Sequence, residues 1–592
     1  MNRRRGVSFS KGKVKNKKYT LKKLGHYLFK FRFLLILALL LNIIANVFLL
    51  FGPKLTGNMM DLIELGEGNI DFNKIFYYAS LMIIFYISSS VLSLFISLIM
   101  IKVSKKIIYT MRYDAFKKIM MLPISYFDSN STGDIISRMS YDIDTINTSL
   151  STDVIQILTS AITIIGSLIM MIITSYLLVL VFVITLPISF LFTKIMVKKT
   201  SKHFKNRSKN LGILNGFTEE MITGAKTIKA YGKEKEIIDS FDDYNIEAAN
   251  SSYMAEYYSA YTGPGVNFVN NLSLSLICLF GAILSKFKML SLGDISSFVL
   301  YSKRFSGPIN EIANIITDLQ SALAAAERVF ELIDEEIEIK DSVDAVECKN
   351  ILGNIEFNNV YFGYTPNKII LKDVNFNAPS GKKIAIVGPT GSGKTTIVNL
   401  LMRFYDINSG SITLDDINIQ LFTRSSLRLT YAMVLQDTWL FEGTIYENLI
   451  YGAKNVSKEQ VKKACIDARI DTFIESLPNG YDTILQDGGT NISKGQKQLL
   501  TIARAMLLDT NILILDEATS NVDTLTEIKI QEAMQNLMKN KTSFIIAHRL
   551  STIKNADLIL VVKDGNIIEQ GTHNTLLKQK GFYFELHNSQ YQ

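Results

Sequence analysis

Between Val154 and Phe192 the chain carries no Asp, Glu, Lys or Arg. So long an uncharged run is foreign to a water-exposed domain, and one bilayer crossing uses only about 20 residues. The run is read as two spans that turn near Ser175-Tyr176. Apolar runs of that length are read as membrane-spanning helices. Phe33–Phe51 is apolar except for Asn42 and Asn46, with Pro53 expected to close it. Ile75–Ile101 holds no charge and forms another span. Tyr257–Ser285 is the fifth, carrying Gly263-Pro264-Gly265 and the polar Asn267, Asn270 and Asn271.

Charge is as unevenly spread as hydrophobicity. The mean hydropathy is +0.20 with its apolar surplus unevenly spread, and twelve Lys and Arg with no acid crowd residues 1–32. A nucleic-acid arm is one reading of such a run. A cytoplasmic tail is the better one, because an apolar span follows at once. A cleavable signal peptide would have a shorter apolar core and a small-residue cleavage site, and neither is evident. Cys278, Cys348 and Cys465 stand far apart, so neither a disulfide framework nor a zinc site is expected.

The second half is organised around Gly388-Pro389-Thr390-Gly391-Ser392-Gly393-Lys394-Thr395. It fits the G-x-x-x-x-G-K-[ST] phosphate loop, between a strand-like Ile384–Val387 and a helical run from Thr395 that takes in Thr396. Glycines let the backbone wrap a phosphate at a helix N-terminus. Lys394 would bridge the β- and γ-phosphates of ATP, and the Thr395 hydroxyl would sit on Mg²⁺. Further on, the apolar strand Asn511–Leu515 ends in two carboxylates: Asp516 to hold Mg²⁺ through water and Glu517 to activate the attacking water. Thr542–Ala547 is a strand that delivers His548 to the γ-phosphate. Gln436 follows the strand-like Tyr431–Leu435 and would sense metal and water. Any one of these alone reads as a solvated strand end, but four in order after a phosphate loop do not.

ATP is cytoplasmic and so is a basic N-terminus, so the number of crossings must be even. That argument places a sixth span near 294–318, despite Lys303, Arg304 and Glu311. Those charges are expected to face protein or water rather than lipid. The long basic segments 102–153 and 193–256 are expected to prolong helices into the cytosol. Composition changes near residue 330, where the acidic connector Asp334–Glu338 begins. The expected division is a basic N-terminal segment at 1–30, a transmembrane domain at 31–330, a linker at 331–350 and a nucleotide-binding domain at 351–592.

Ile492-Ser493-Lys494-Gly495-Gln496 precedes the Asp-Glu strand, and Ser520-Asn521-Val522-Asp523 follows it. This order of phosphate loop, Gln loop, signature, acidic strand, D-loop and His resembles ATP-binding cassette (ABC) transporters. The likeness extends to Phe127–Arg138 and Glu220–Lys229, which resemble the cytoplasmic loops of the six-span exporter type, and runs from about residue 20 to the end. It implies a six-helix transmembrane domain followed by a cytosolic α/β P-loop ATPase. It also implies that two ATP are sandwiched between two such chains. Tyr364 would stack on adenine, and residues 388–396 would hold one ATP. Ser493, Gly495 and Gln496 would serve the ATP of the partner.

The chain departs from the family pattern in two places: Lys494 stands where Gly is usual, and Gln486-Asp487 replaces a Gly-Glu pair. The expected function is ATP-driven export of amphipathic small molecules of the multidrug type, in a multi-pass bacterial cell-membrane dimer with no role for nucleic acid. A lipid flippase or a peptide exporter shares these motifs, and an ATP-dependent sensor or channel regulator is the reading from a different class. The chain resembles the catalytically intact subunit of bacterial heterodimeric exporters, so a different half-transporter is the expected partner.

Overall fold

The computed structural model describes residues 16–64, 70–365, 368–435, 438–486, 488–516, 523–546 and 553–591. Two compact units emerge. A helical unit takes the chain up to Leu122 and again Asn130–Glu336; a sheet unit takes Pro123–Ser129 and the chain from Ile337 onward.

The helical unit opens with Lys17–Phe29 (α1), followed by Arg32–Glu64 (α2) and Phe72–Ile119 (α3). The short Ile124–Ser129 (α4) belongs to the sheet unit. A helical stretch Thr132–Thr174 then ends in Val154–Thr174 (α5). Next come Tyr176–Thr223 (α6), Glu234–Ala260 (α7), Thr262–Lys286 (α8) and Leu292–Asp334 (α9). Among the described residues four stretches are long and apolar enough to cross a membrane: Arg32–Glu64, Phe72–Ile119, Thr132–Thr174 and Glu234–Lys286. The apolar run Tyr176–Thr185 of α6 is shorter. The uncharged run breaks where expected, because Ser175 is extended between α5 and α6 and its hydroxyl caps Leu178 N–H. In the fifth expected span, Tyr257–Ser285, the helix is interrupted at Tyr261, which joins α7 to α8.

Pro53 does not close the first span; α2 runs through it to Glu64. Proline lacks an N–H and leaves the carbonyl four residues earlier without its helical donor. That carbonyl, Leu49 O, accepts instead from the Arg304 guanidinium of α9. The Tyr301 hydroxyl donates to Leu50 O at 2.7 Å and the Ser297 hydroxyl to Pro53 O at 3.0 Å. Arg304 thus spends its charge on backbone, whereas Lys303 and Glu311 are exposed on this chain. Close approach makes these bonds possible. A Cβ on Gly293 would lie 2.1 Å from the Gly57 carbonyl oxygen, so only glycine lets α2 and α9 touch there.

The span asparagines separate into two groups. Asn42 and Asn46 are buried between α2 and α5, where Asn42 donates to Thr159 at 2.9 Å and Thr163 donates to Asn46 at 3.1 Å. They join the two helices. Asn267 and Asn271, one turn apart on α8, are exposed.

The sheet unit is layered. Ile355–Phe362 (β1), Leu371–Ala378 (β2), Ser409–Leu414 (β4) and Ile417–Asn418 (β5) form an antiparallel sheet in the order β2-β1-β4-β5. The main sheet has six strands: Lys383–Val387 (β3), Tyr431–Val434 (β6), Ile512–Asp516 (β9), Thr542–Ile546 (β10), Leu558–Lys563 (β11) and Asn566–Gly571 (β12). Gly443–Thr444 (β7) and Ile484–Leu485 (β8) pair separately. Strand order in the main sheet is β12-β11-β3-β10-β9-β6, parallel except for β12. Alternate residues serve opposite cores. Ile384, Ile386, Ile512 and Ile514 enter the core shared with β1 and β2, while Ala385, Val387, Leu513 and Leu515 enter a core of helices. Both faces are covered, which is why these strands read as continuous apolar runs.

Candidate active site

In a parallel sheet, ligands bind outside the carboxyl ends of the strands. β3 ends at Val387 and runs directly into the loop 388–393, which opens Lys394–Leu401 (α10). Two glycines there are obligatory. Gly388 has φ +153°, and a Cβ on it would lie 2.1 Å from Val562 O. Gly393 has φ +111°, and its Cβ would meet Leu371 at 2.7 Å. The amides at the start of α10 have no acceptor within the helix and are free for an anion.

Lys394 is buried, and its ammonium donates to Gly388 O at 2.8 Å and Pro389 O at 2.9 Å. Burial holds it below its ordinary pKa, against the opposing pull of the Asp516 carboxylate. The Ser392 hydroxyl is buried, and among the described residues it has no hydrogen-bond partner. A desolvated cation bonded to two carbonyls, an orphaned hydroxyl and a row of free amides form a cradle suited to a polyphosphate.

Asp516 closes β9, level with Ile546 of β10, and β10 lies beside β3. The carboxylate therefore shares a sheet edge with the phosphate loop. Thr395 is exposed at the start of α10, and Thr396 is buried with its hydroxyl 3.2 Å from the Tyr364 hydroxyl. Asn399 of the same helix donates to that phenol, also at 3.2 Å. Tyr364 thus stands beside the loop with its ring half exposed. Thr390 and Gly391 are exposed at the tip of the loop, next to Pro389. Gln436, Glu517 and His548 lie outside the described residues.

Ser493 caps Lys494–Met506 (α11). Its hydroxyl accepts from Gln496 N at 3.2 Å, and its own N–H donates to the Gln496 side chain at 2.8 Å. Gly495 is buried and Lys494 exposed. Among the described residues, no hydrogen bond joins this helix start to the phosphate loop.

The profile of ABC transporter transmembrane regions matches residues 35–309, and the ABC transporter profile matches 371–520. An uncharacterised ABC transporter ATP-binding protein of Bacillus subtilis (strain 168), YfiC, is 43% identical over 582 residues, 98% of this chain and 96% of its own length. The chain belongs to the ABC transporter family.

A fatty acid ABC transporter ATP-binding/permease protein of Mycobacterium bovis is 41% identical over 81% of the chain and 76% of its own length. An ATP-dependent lipid A-core flippase of Mannheimia succiniciproducens is 36% identical over 94% of each. Among solved structures, a bacterial Atm1-family ABC exporter with ATP bound superposes with a TM-score of 0.73 at 27% identity, covering 94% of this chain and 97% of that one. The chain is therefore an ABC exporter half-transporter: a multi-pass cell-membrane protein whose cytosolic ATPase drives transport.

Other residues of this ABC ATPase have roles that motif reading missed. The connector after α9 is pinned to the sheet unit. Arg428 forks onto Glu338, and Arg424 binds Asp341 at 3.0 Å and Asp406 at 2.7 Å. Arg403 adds a bond to Asp406 at 3.0 Å. Three arginines within 25 residues, following an acidic connector, were the available signal.

Proposed function

We propose that this ABC exporter moves acyl-chain amphipaths out of the cytoplasmic leaflet at the expense of ATP. The observation that carries the ATP half of the reading is the cradle of Lys394, Ser392 and Asp516 at one sheet edge, in a chain that also holds the membrane helices. Residues 388–396 bind the phosphates and Tyr364 takes the adenine. Glu517, next in the chain after Asp516, takes the proton of the attacking water on its carboxylate. His548 and Gln436 hold the γ-phosphate and the water in line. Thr395, Asp516 and Gln436 are the donors suited to Mg²⁺, all hard oxygens of the kind that ion prefers. Bound there, Mg²⁺ would neutralise phosphate charge.

The cargo class rests on the relatives, which are named for fatty acids and for a lipid, and on charges in the membrane. A charge in a span faces water, a partner or a substrate. Lys303 and Glu311 are exposed two turns apart on α9, and Asn267 and Asn271 are exposed on α8. They suit a charged headgroup with an acyl chain more closely than a neutral dye. Lys303→Ala is expected to raise the KM for an acyl amphipath while leaving the KM for ATP unchanged. An unchanged cargo KM would overturn the assignment of Lys303.

The second half is a different half-transporter. Lys494 and Gln486-Asp487 would alter both sites of a homodimer but only one of a heterodimer. Expressed alone, the chain is expected to show little ATPase activity. Co-expression with a half-transporter that lacks the catalytic Glu restores it. Full activity from the purified single chain would contradict the pairing and leave the export reading intact.

A further inference from the structure

α1 is an amphipathic helix with two different faces. Its inner face is fixed to the helical unit: Leu24, Tyr27 and Leu28 pack on the core of Val103, Ile107, Met111 and Phe330. The Tyr27 hydroxyl donates to Asp114 at 2.8 Å, and the Lys23 ammonium sits 4.9 Å from the Phe330 ring centre. Its outer face exposes Lys17, Lys18, Lys22 and His26 together with Leu21 and Phe29. Among the described residues, none of those three lysines has an ion pair. Three residues after α1 ends, Arg32 starts the first span, with its guanidinium 5.0 Å from the Phe29 ring centre and 5.1 Å from that of Phe33. The outer face therefore lies where the bilayer begins, on the same side as the end of α9 that leads to the cytosolic ATPase.

A hollow of about 560 Å³ opens on this face, lined by Tyr19, Lys22, Lys23, His26, Phe29 and Asp334. Tyr19 and Lys23 both bond the Asp334 carboxylate, and Asn16 N–H donates to Glu327 at 2.8 Å. Asp334 is the last residue of α9, three positions before the sheet unit begins at Ile337. The helix that offers cations to the leaflet thus also grips the root of the connector.

We propose that α1 binds anionic phospholipid of the cytoplasmic leaflet and, through Tyr19 and Lys23 on Asp334, ties ATPase turnover to the charge of that leaflet. Basic side chains are drawn to an anionic membrane surface, and the aromatic and aliphatic residues among them favour the headgroup boundary. A nucleic acid would gain nothing from exposed Leu21, Phe29 and Phe33. Anionic lipid seated on Lys22 and His26 holds α1 down and so keeps its grip on Asp334. The proposal does not depend on the identity of the cargo.

The test uses the assembled transporter in nanodiscs of phosphatidylcholine, with and without phosphatidylglycerol. ATPase activity is expected to rise about threefold or more with phosphatidylglycerol and to lose that rise in high salt. Removing residues 1–15 leaves the response in place. The triple variant Lys17→Gln, Lys18→Gln, Lys22→Gln abolishes it and retains fewer phosphatidylglycerol molecules in native mass spectrometry. Asp334→Asn still retains the lipid but no longer responds. The proposal is overturned if the triple variant responds like wild type, as it would if phosphatidylglycerol acted as cargo. It is also overturned if removing residues 1–15 accounts for the whole effect. Full stimulation of Asp334→Asn would refute the connection to the connector.

Discussion

The hydroxyl of Tyr405 donates to the carboxylate of Asp128. Asp128 lies in α4, the short helix of the first cytoplasmic loop, and Tyr405 follows α10 of the phosphate site. The Tyr405 ring stands edge-on to Tyr364 at 4.9 Å, and Tyr364 is bonded to Thr396. Burial first, then the neighbouring carboxylate, holds the Tyr405 phenol far above its ordinary pKa, so it remains a donor at any physiological pH. One chain of contacts therefore joins the nucleotide loop to the loop that leads into the membrane helices.

Tyr405→Phe keeps the ring and removes the bond. A hydrogen bond to a charged group contributes about 1.5–3 kcal/mol, and its loss should lower the cargo moved per ATP hydrolysed. ATP affinity should be unchanged. In a double-mutant cycle, Asp128→Asn should add little to Tyr405→Phe. Full additivity would show that the two side chains do not act together.

Arg304→Met orphans the Leu49 carbonyl and should destabilise the helical unit by about 1–3 kcal/mol, the cost of an unsatisfied buried acceptor. Pro53→Ala restores an N–H to that carbonyl, so Arg304→Met with Pro53→Ala should recover most of the loss. Thermal unfolding of the two variants in detergent gives the comparison. Equal destabilisation of both would mean that Arg304 acts elsewhere.

Much of this was legible before any coordinates. The Ser175 break, the phosphate loop and the strand ending at Asp516 each follow from local pattern, which one stretch of sequence fixes. The rest depends on partners distant in sequence. Pro53 reads as a stop until Arg304, on another helix, supplies the missing donor. Arg424 reads as one surface charge among many until Asp341 and Asp406 converge on it. Asp128 lies in the Phe127–Arg138 stretch that resembles a cytoplasmic loop, but nothing near it in the chain points to Tyr405.

The cysteines provide a pH-dependent check. Burial pushes the Cys348 and Cys465 thiols from 9.0 up to about 11. A thiol raised in the folded state contributes stability that is intact below pH 9 and is lost as pH rises through 11. Unfolding midpoints of the chain should fall across that window. At pH 8, maleimide should reach the buried thiols of Cys348 and Cys465 only on unfolding. Rapid labelling of either in the native protein would contradict the buried positions.

Transport into inside-out membrane vesicles is the most direct test of ATP-driven export. Vesicles carrying the assembled transporter should accumulate a labelled acyl amphipath when ATP is added. Glu517→Gln should abolish that accumulation while ATP still binds, because the amide cannot take the proton from water. Lys394→Ala should abolish ATP binding itself. ATP hydrolysis at the wild-type rate with no amphipath accumulated would contradict export and favour a regulator that uses ATP as a signal.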